Sequence, residues 1–517
     1  MQDDQTRRDV PQHWADRAAE EIEALGEDHV VVATGISPSG TFHVGHTREI
    51  LTGDAVTRAL LDRGVSAELV FIVDNLDPLR KVYPFLDQDV YQPCIGRSLS
   101  KIPAPNGEGT YDEYYLAPFL AAIQRLRVDA RVIRASELYA SGRMDDVVFD
   151  ALEGRDGIAE IMKKHTGREL PEDWSPWNPE SPETGRLTET VVLGWNREAG
   201  TIRFRDQSTG HEHETAPSAG GKLTWRVDWP ARWKALGVVA EPFGKDHSSR
   251  GGSYDTGKEI AREVFGYRAP YPIIYEWIAL KGGGDMSASK GNVLALDEAL
   301  TEVAPPEALR YFVVKARPTR RLTFDPGVGL LALVDEVDDE SARGRDSRAM
   351  ELSQAAGFKP VGVSFKHLVT VGQIAGFDLD RVMTLLREGG YERADREAVK
   401  ERLAMARRWL DRFAPESEKI EVPKTVPESA KALDGSQKAF LADLADALVG
   451  LSDAAAIHEC IYQKARAEGG PGPKAAFQAI YQALLGRDRG PRAGAFIALL
   501  GSEMVAERFR HAAALEQ

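Results

Sequence analysis

Residues 30–46 carry the stretch that decides the fold, VVVATGISPSGTFHVGH. Its opening run of β-branched apolar residues predicts a buried strand, and the Gly-, Ser-, Pro- and Thr-containing segment that follows predicts a loop. Beyond it, apolar residues recur at helical spacing, at Ile50, Ala55, Val56, Ala59 and Leu60. A strand, a loop and a helix start in this order place backbone N–H groups and a positive dipole end where an anion can bind.

Strands and helices alternate further along the chain. Residues 69–73 (LVFIV) predict a second strand, residues 116–126 a helix, and residues 131–133 a third strand. This alternation predicts a parallel, doubly wound sheet. Asp74 and Asp77 follow the second strand, at the sheet edge where such folds bind ligands. They mark either a ligand site or a capped loop.

Two histidines stand at the predicted helix start. His43 and His46 are three residues apart, so they share a face. Gly45 lies between them and removes a side chain where a flat ligand could approach. The pattern fits a phosphate-binding site, and it fits an ordinary βα turn with two surface histidines equally well.

Four motifs resemble a known enzyme family. Residues 38–46 (PSGTFHVGH) resemble the HIGH signature of class I aminoacyl-tRNA synthetases, and residues 286–292 (MSASKGN) resemble their KMSKS loop. The order and separation of the two motifs are as in that class. Between them, TWRVDWPARW at 224–233 and GKDHSSRGGSYDTG at 244–257 resemble the class I lysyl-tRNA synthetases specifically.

The resemblance implies a Rossmann-like catalytic domain that activates L-lysine with ATP, releases pyrophosphate and transfers lysine to the 3′ end of tRNA(Lys). It implies three catalytic residues, His43, His46 and Lys290. The implied ATP-binding residues are Pro38, Ser39, Gly40, His43, Gly45, His46, Met286, Ser287, Ser289 and Lys290. The implied lysine-binding residues are Gly35, Ser37, Trp225, His247 and Tyr275.

Aromatic faces suit an ammonium group carried on an apolar stem. Trp229 and Trp233 belong to the same cluster as Trp225, but we expect both in the core. Gly45 is implied to leave room for adenine. Pocket chemistry alone does not distinguish lysine from arginine or glutamine.

The chain departs from the family pattern at two places. Asp285 and Ala288 stand where the KMSKS loop has lysines, so we expect Lys290 to supply the positive charge. Many relatives carry zinc-binding cysteine pairs where this chain has ESPETG at 180–185. His211 and His213 are conceivable ligands, but a solvated turn is the expected environment, and we predict no structural zinc or other resident metal.

Composition limits the class of protein. The 517 residues are 43% hydrophobic and 28% charged, as in globular proteins, and the length predicts several domains. The only cysteines, Cys94 and Cys460, exclude a disulfide framework. No long apolar span or signal-like start is present, so we expect a cytoplasmic protein without a membrane partner. Taken alone, the net charge of −15 argues against nucleic acid, but a local basic face can still hold RNA. We expect no DNA partner.

The predicted architecture is α/β followed by an all-α region. A catalytic domain is expected over residues 1–290, with a partly β insertion at about 171–221, and a stem-contact region over 291–347. An α-helical anticodon-binding cage is expected over 348–517, where Val399, Leu403, Ala406 and Leu410 form an apolar stripe. The predicted partners are tRNA(Lys), L-lysine and ATP, with Mg²⁺ accompanying the nucleotide.

Three alternatives stay open at this point. A class I ligase for glutamate, glutamine or cysteine would share the KMSKS-like loop, but the strings at 224–233 and 244–257 argue against it. A non-catalytic tRNA-binding paralogue would keep the fold without the activity. A small nucleotidyltransferase would share the HxGH loop but would lack the long helical C-terminal region.

Overall fold

The stretch at 30–46 forms a strand, a loop and a helix, as predicted. The computed structural model describes residues 12–286, 293–342, 347–354 and 360–516. The strands of these parts are β1 (Val30–Ile36), β2 (Ala67–Val73), β3 (Arg131–Arg134), β4 (Trp177–Pro179), β5 (Thr190–Asn196), β6 (Thr201–Asp206), β7 (Glu212–Thr215), β8 (Gly221–Leu223), β9 (Val238–Gly244), β10 (Tyr271–Tyr275), β11 (Ile278–Leu280), β12 (Gly284–Asp285) and β13 (Leu322–Phe324).

Helices make up most of the remainder. They are α1 (Trp14–Glu23), α2 (Thr47–Asp62), α3 (Gln88–Tyr91), α4 (Tyr111–Arg125), α5 (Ala135–Ala140), α6 (Asp145–Glu153), α7 (Arg155–Thr166), α8 (Trp225–Leu236), α9 (Ser253–Glu263), α10 (Glu298–Thr301), α11 (Pro306–Val314), α12 (Val328–Ala342), α13 (Arg348–Ser353), α14 (Phe365–Ile374), α15 (Leu379–Glu388), α16 (Arg396–Arg412), α17 (Gly435–Leu448), α18 (Ala454–Arg466), α19 (Pro473–Leu485), α20 (Ala493–Leu500) and α21 (Ser502–Ala514). None of the described helices is long and apolar enough to cross a membrane.

The chain divides into two units. The first contains α1 to α11, β1 to β13 and α13, and the second contains α12 and α14 to α21. In this division α11 and β13 belong to the first unit and α12 to the second. The predicted domain boundaries at 290 and 347 stay predictions. The assignment of a separate stem-contact region stays a prediction.

The first unit is built on a parallel sheet of order β10-β9-β1-β2-β3. In register, Ile36 lies opposite Val73 and Tyr275 opposite Gly244. The carboxyl ends of four strands therefore meet at one edge. The predicted helical residues of α2, including Ile50, Ala55 and Val56, are fully buried. The predicted α/β fold class is confirmed.

The predicted β insertion contains an antiparallel β5-β6-β7 sheet and the first strand of the β4-β8 pair. Its turn at 180–185 is held by a buried hydrogen bond that Ser181 donates to Asp206. Burial opposes ionisation of Asp206, but hydrogen bonds from Ser181 and Ser208 lower its pKa to about 2.

Every regular element in the described residues of the second unit is a helix. Of the predicted apolar stripe, Val399, Leu403 and Ala406 are buried, whereas Leu410 is only partly buried. The neighbouring Trp409 is fully buried in place of Leu410. Its indole N–H donates to the Pro326 carbonyl at 2.9 Å.

Candidate active site

The loop between β1 and α2 is held in place by residues that follow the second motif. The Val44 N–H donates to the Leu294 carbonyl at 2.9 Å, and the Leu296 N–H donates to the Phe42 carbonyl at 2.9 Å. Residues 293–296 therefore lie against the HxGH loop. Residues 287–292, with Ser287, Ser289 and Lys290, lie outside the described part of the chain.

The two histidines pack against each other, with ring centroids 4.0 Å apart. His43 Nδ1 accepts from the Gly45 N–H at 3.1 Å, and His46 Nδ1 accepts from the His43 N–H at 2.9 Å. Burial lowers the pKa of His43 to about 4 and, with a further contribution from His43, that of His46 to about 3. Both rings are therefore neutral near pH 7. Because Nδ1 of His43 accepts, its Nε2 carries the proton, whereas Nδ1 of His46 also lies 3.2 Å from the His43 carbonyl, so either ring nitrogen of His46 can carry its proton.

Gly45 is required by the packing of His43. A Cβ at this position would lie 2.7 Å from His43 Cε1 and Nδ1 and 3.5 Å from Met286 Cε. The space above Gly45 is thus occupied by protein, and the implied role of Gly45 in admitting adenine stays a prediction.

A cavity of about 630 Å³ opens beside the histidines. Of the predicted ATP-binding residues, Ser39, Gly40, His43, His46 and Met286 line it. Pro38 and Gly45 belong to the same loop without lining the cavity. Two neutral imidazoles at a helix start line this cavity, and such groups are suited to an anionic ligand. The ATP-binding roles of these residues stay predictions.

A second cavity of about 360 Å³ shares Ser37 and His46 with the first. Four of the five predicted lysine-binding residues line it: Gly35 of β1, Ser37, Trp225 at the start of α8, and His247 in the turn after β9. Trp225 stacks on Trp229, with centroids 5.4 Å apart and planes at 14°. Tyr275 lies behind this cavity.

Tyr275 reaches the cavity through Glu49, a residue that the sequence analysis missed. The Tyr275 hydroxyl donates to Glu49 Oε2 at 2.6 Å, and the Gly35 N–H donates to Oε1 at 2.7 Å. Burial raises the pKa of Glu49 to about 7, although both hydrogen bonds favour the ionised form and lower it. Glu49 lines the cavity and forms no ion pair within the described residues. Its position three residues after His46, on the same helix face, was the available signal.

Trp229 and Trp233 are buried, as expected, and they hold a second carboxyl. Their indole N–H groups donate to Glu241 at 3.0 and 2.6 Å. Burial raises the pKa of Glu241 to about 7. Trp229 and Glu241 also line the smaller cavity.

The acidic residues after β2 belong to a buried charge cluster. Lys222 Nζ contacts Asp74 at 2.6 Å and also Asp77, and Arg232 contacts Asp74 at 3.0 Å and Asp228 at 2.7 Å. Asp77 in turn accepts from the Ser37 hydroxyl at 2.5 Å. Asp74 and Asp77 are thus paired with cations, and both also line the smaller cavity. Their interpretation as a ligand site stays a prediction.

Comparison with known proteins agrees with the motifs. Residues 12–356 match the family described as tRNA synthetases class I (K), and residues 396–513 match the anticodon binding domain family. The lysine–tRNA ligase of Methanosarcina barkeri is 43% identical over 531 residues, covering 97% of both chains. The lysine–tRNA ligase of Archaeoglobus fulgidus is 43% identical over 503 residues, covering 97% of this chain and all of that one.

The chain belongs to the class I lysyl-tRNA synthetases.

Asp285, which stands where the family's KMSKS loop has a lysine, forms an ion pair in the structure. Asp285 pairs with Arg321 at 2.5 Å, so its carboxylate is balanced at the base of the loop. Ala288 lies outside the described residues.

The two histidines of the insertion contact a carboxylate, that of Glu183. His211 and His213 lie 2.8 and 3.2 Å from Glu183 Oε1. Within the described residues, no group of three or more His, Cys, Asp and Glu side chains is placed to hold a metal ion. The prediction that this member of the family lacks structural zinc stays a prediction.

Proposed function

We propose that the chain is an ATP-dependent lysine–tRNA ligase that forms lysyl-adenylate and then transfers lysine to the 3′ end of tRNA(Lys). The observation that carries the proposal is Glu49, an acidic side chain without a cationic partner among the described residues, in an aromatic cavity beside a phosphate-type site. A carboxyl group in such a place is matched by a ligand that brings its own positive charge.

Lysine supplies that charge. Its ammonium group binds Glu49, and its apolar stem packs against Trp225 and Trp229. Ser37 and His247 lie where they can contact the α-amino and carboxylate end, and Gly35 orients Glu49 through its N–H. Glutamate and glutamine bring no positive charge for Glu49, and cysteine is too short to span the cavity.

ATP occupies the larger cavity. The carboxylate of lysine attacks the α-phosphorus, the bond to the bridging oxygen breaks, and pyrophosphate leaves. The Nε2–H group of His43 and the imidazole of His46 stabilise the phosphate oxygens as charge develops there, a role that needs no proton transfer. Mg²⁺ would accompany the nucleotide and supply positive charge to its phosphates, and Ser287, Ser289 and Lys290 are proposed to contribute to ATP binding.

The third substrate is tRNA(Lys), whose anticodon is bound by the helical second unit. The site of action is the cytoplasm, and neither DNA nor a membrane is a partner in this proposal.

The test is amino-acid-dependent exchange of pyrophosphate into ATP across all twenty amino acids, with and without tRNA. Lysine-specific exchange that is lost in a His43→Ala/His46→Ala variant supports the proposal. Exchange with a different amino acid keeps the class and rejects the lysine pocket. A folded protein that binds tRNA without any exchange is the non-catalytic paralogue.

A further inference from the structure

A pair of aromatic rings lies on the wall of the larger cavity, in the segment after β2. Tyr83 and Phe85 have nearly parallel rings, at 4° with centroids 5.5 Å apart. Phe85 is 45% exposed, yet its ring is supported from behind by the edge of Tyr115, at 6.3 Å and 74°. The pair is therefore anchored on one side and open on the other.

Two cations precede the rings. Arg80 and Lys81 are exposed, and neither forms an ion pair with another residue of the described ranges. Lys81 Nζ lies 5.7 Å from the Tyr83 ring centroid. In a chain with a net charge of −15, this is a local positive surface beside flat apolar groups.

The four residues also occupy a specific place. All of them line the larger cavity, and Arg80 lines the smaller one as well. They therefore flank the junction at which a lysyl-adenylate would lie. The acyl group must pass from there to a ribose hydroxyl of the last tRNA nucleotide, so the end of the tRNA has to lie beside this junction.

We propose that Tyr83 and Phe85 stack a base of the single-stranded 3′ end of tRNA while Arg80 and Lys81 contact its phosphates, an inference that rests on the lysine and ATP sites proposed above. Aromatic rings stack any base, and neighbouring cations follow the backbone, which is how single strands are held without base-specific contacts. A half-buried Tyr83 ring and an exposed Phe85 ring, next to two cations without an ion-pair partner among the described residues, match this chemistry.

The experiment measures binding of two tRNA(Lys) transcripts, one intact and one lacking its last three nucleotides, by fluorescence anisotropy. Phe85→Ala should weaken binding of the intact transcript about tenfold and leave binding of the shortened transcript unchanged. Phe85→Trp should keep the affinity, because it keeps the stacking surface. Leu61→Ala is the matched control, since Leu61 is 52% exposed on α2, away from this wall.

The binding assay contains neither ATP nor lysine, so its result is independent of the lysine-dependent exchange assay. The binding prediction can be wrong while exchange is observed, and it can be right while exchange is absent. Equal losses for both transcripts, or no loss for either, overturn the inference. A raised KM for ATP in Phe85→Ala with unchanged tRNA binding would assign the rings to adenine and also overturn it.

The phosphate contact has a separate readout. Lys81→Gln should reduce the slope of log affinity against log salt concentration by about 0.7 for the intact transcript, the value for one phosphate of a single strand. An unchanged slope would overturn the contact between Lys81 and the backbone.

Discussion

The hydroxyl of Tyr275 donates a 2.6 Å hydrogen bond to Glu49 Oε2, and so joins the end of β10 to the first turn of α2. Together with the Gly35 N–H, it fixes a carboxyl group in a cavity where no described cation balances it. Burial raises the pKa of Glu49 to about 7. A bound ammonium ion favours the ionised form and lowers that pKa.

Lysine binding should therefore depend on pH. Below about pH 7 the carboxyl group of Glu49 is protonated in the free enzyme, and binding must displace that proton. The dissociation constant for lysine, measured by calorimetry, should rise about tenfold for each pH unit below this value and level off above it. Glu49→Gln should bind lysine weakly and without this dependence, whereas Glu241→Gln should keep it. A pH-independent affinity in the unchanged enzyme would contradict the assignment of Glu49.

Tyr275→Phe should have a smaller effect of the same kind. It removes one hydrogen bond to Glu49, worth about 1.5–3 kcal/mol for a charged acceptor, and leaves the carboxyl group in place. We expect the KM for lysine to rise roughly tenfold or more at pH 8, while the KM for ATP stays the same. The pH at which lysine binding weakens should also move upward, because the ionised carboxylate loses a donor. A parallel change in the ATP KM would argue that Tyr275 supports the whole site.

Gly45→Ala should slow adenylate formation through His43. The added Cβ would meet the imidazole at 2.7 Å, so the ring must move, and a displacement of about 1 Å can cost roughly 100-fold in rate. Single-turnover adenylate formation should fall by about this factor, with little change in the KM for lysine. Gly157→Ala in α7 is the control, because its Cβ would meet nothing within 4 Å. Equal rates for the two variants would contradict the packing argument.

Removing a histidine should act on the same step. His46→Ala deletes one proposed donor to the phosphates, and loss of one such donor typically lowers the rate about 100- to 1000-fold. Both imidazoles are neutral between pH 6 and 8, because their pKa values lie well below this range. The rate of adenylate formation should therefore show no histidine titration between pH 6 and 8. A rate that falls as pH rises through about 6.5 would show that a charged imidazole is required instead.

The parts of this site that are continuous in sequence were predictable, and the parts that depend on tertiary pairing were not. The β1 strand, the HxGH loop and α2 follow from local periodicity and turn residues, so His43 and His46 were found. Asp74 and Asp77 were noticed, but their partner Lys222 is about 150 residues away and belongs to β8. No local pattern indicates that a lysine after the insertion will be buried at the carboxyl end of β2. Glu49 was overlooked because an acidic residue in the first turn of a helix is also common as a favourable charge at the dipole end.

The Lys222 cluster carries the last prediction. Lys222 is buried, and although burial opposes its charge, Asp74 and Asp77 raise its pKa above the ordinary value. Lys222→Met would leave Asp77 without its cation, and breaking a buried pair in this way costs about 3–5 kcal/mol. The urea midpoint of the first unit should fall, and the KM for lysine should rise because Ser37 depends on Asp77 for its position.

Lys234→Met is the matched control for this variant. It breaks a partly exposed pair with Asp150 at 2.9 Å, worth about 0–1 kcal/mol, so its midpoint and KM should stay close to those of the unchanged enzyme. Adding Asp77→Asn to Lys222→Met should recover part of the stability, because the uncompensated charge is gone, but not the lysine KM. Full recovery of both quantities would show that Lys222 acts on folding alone and does not position Ser37.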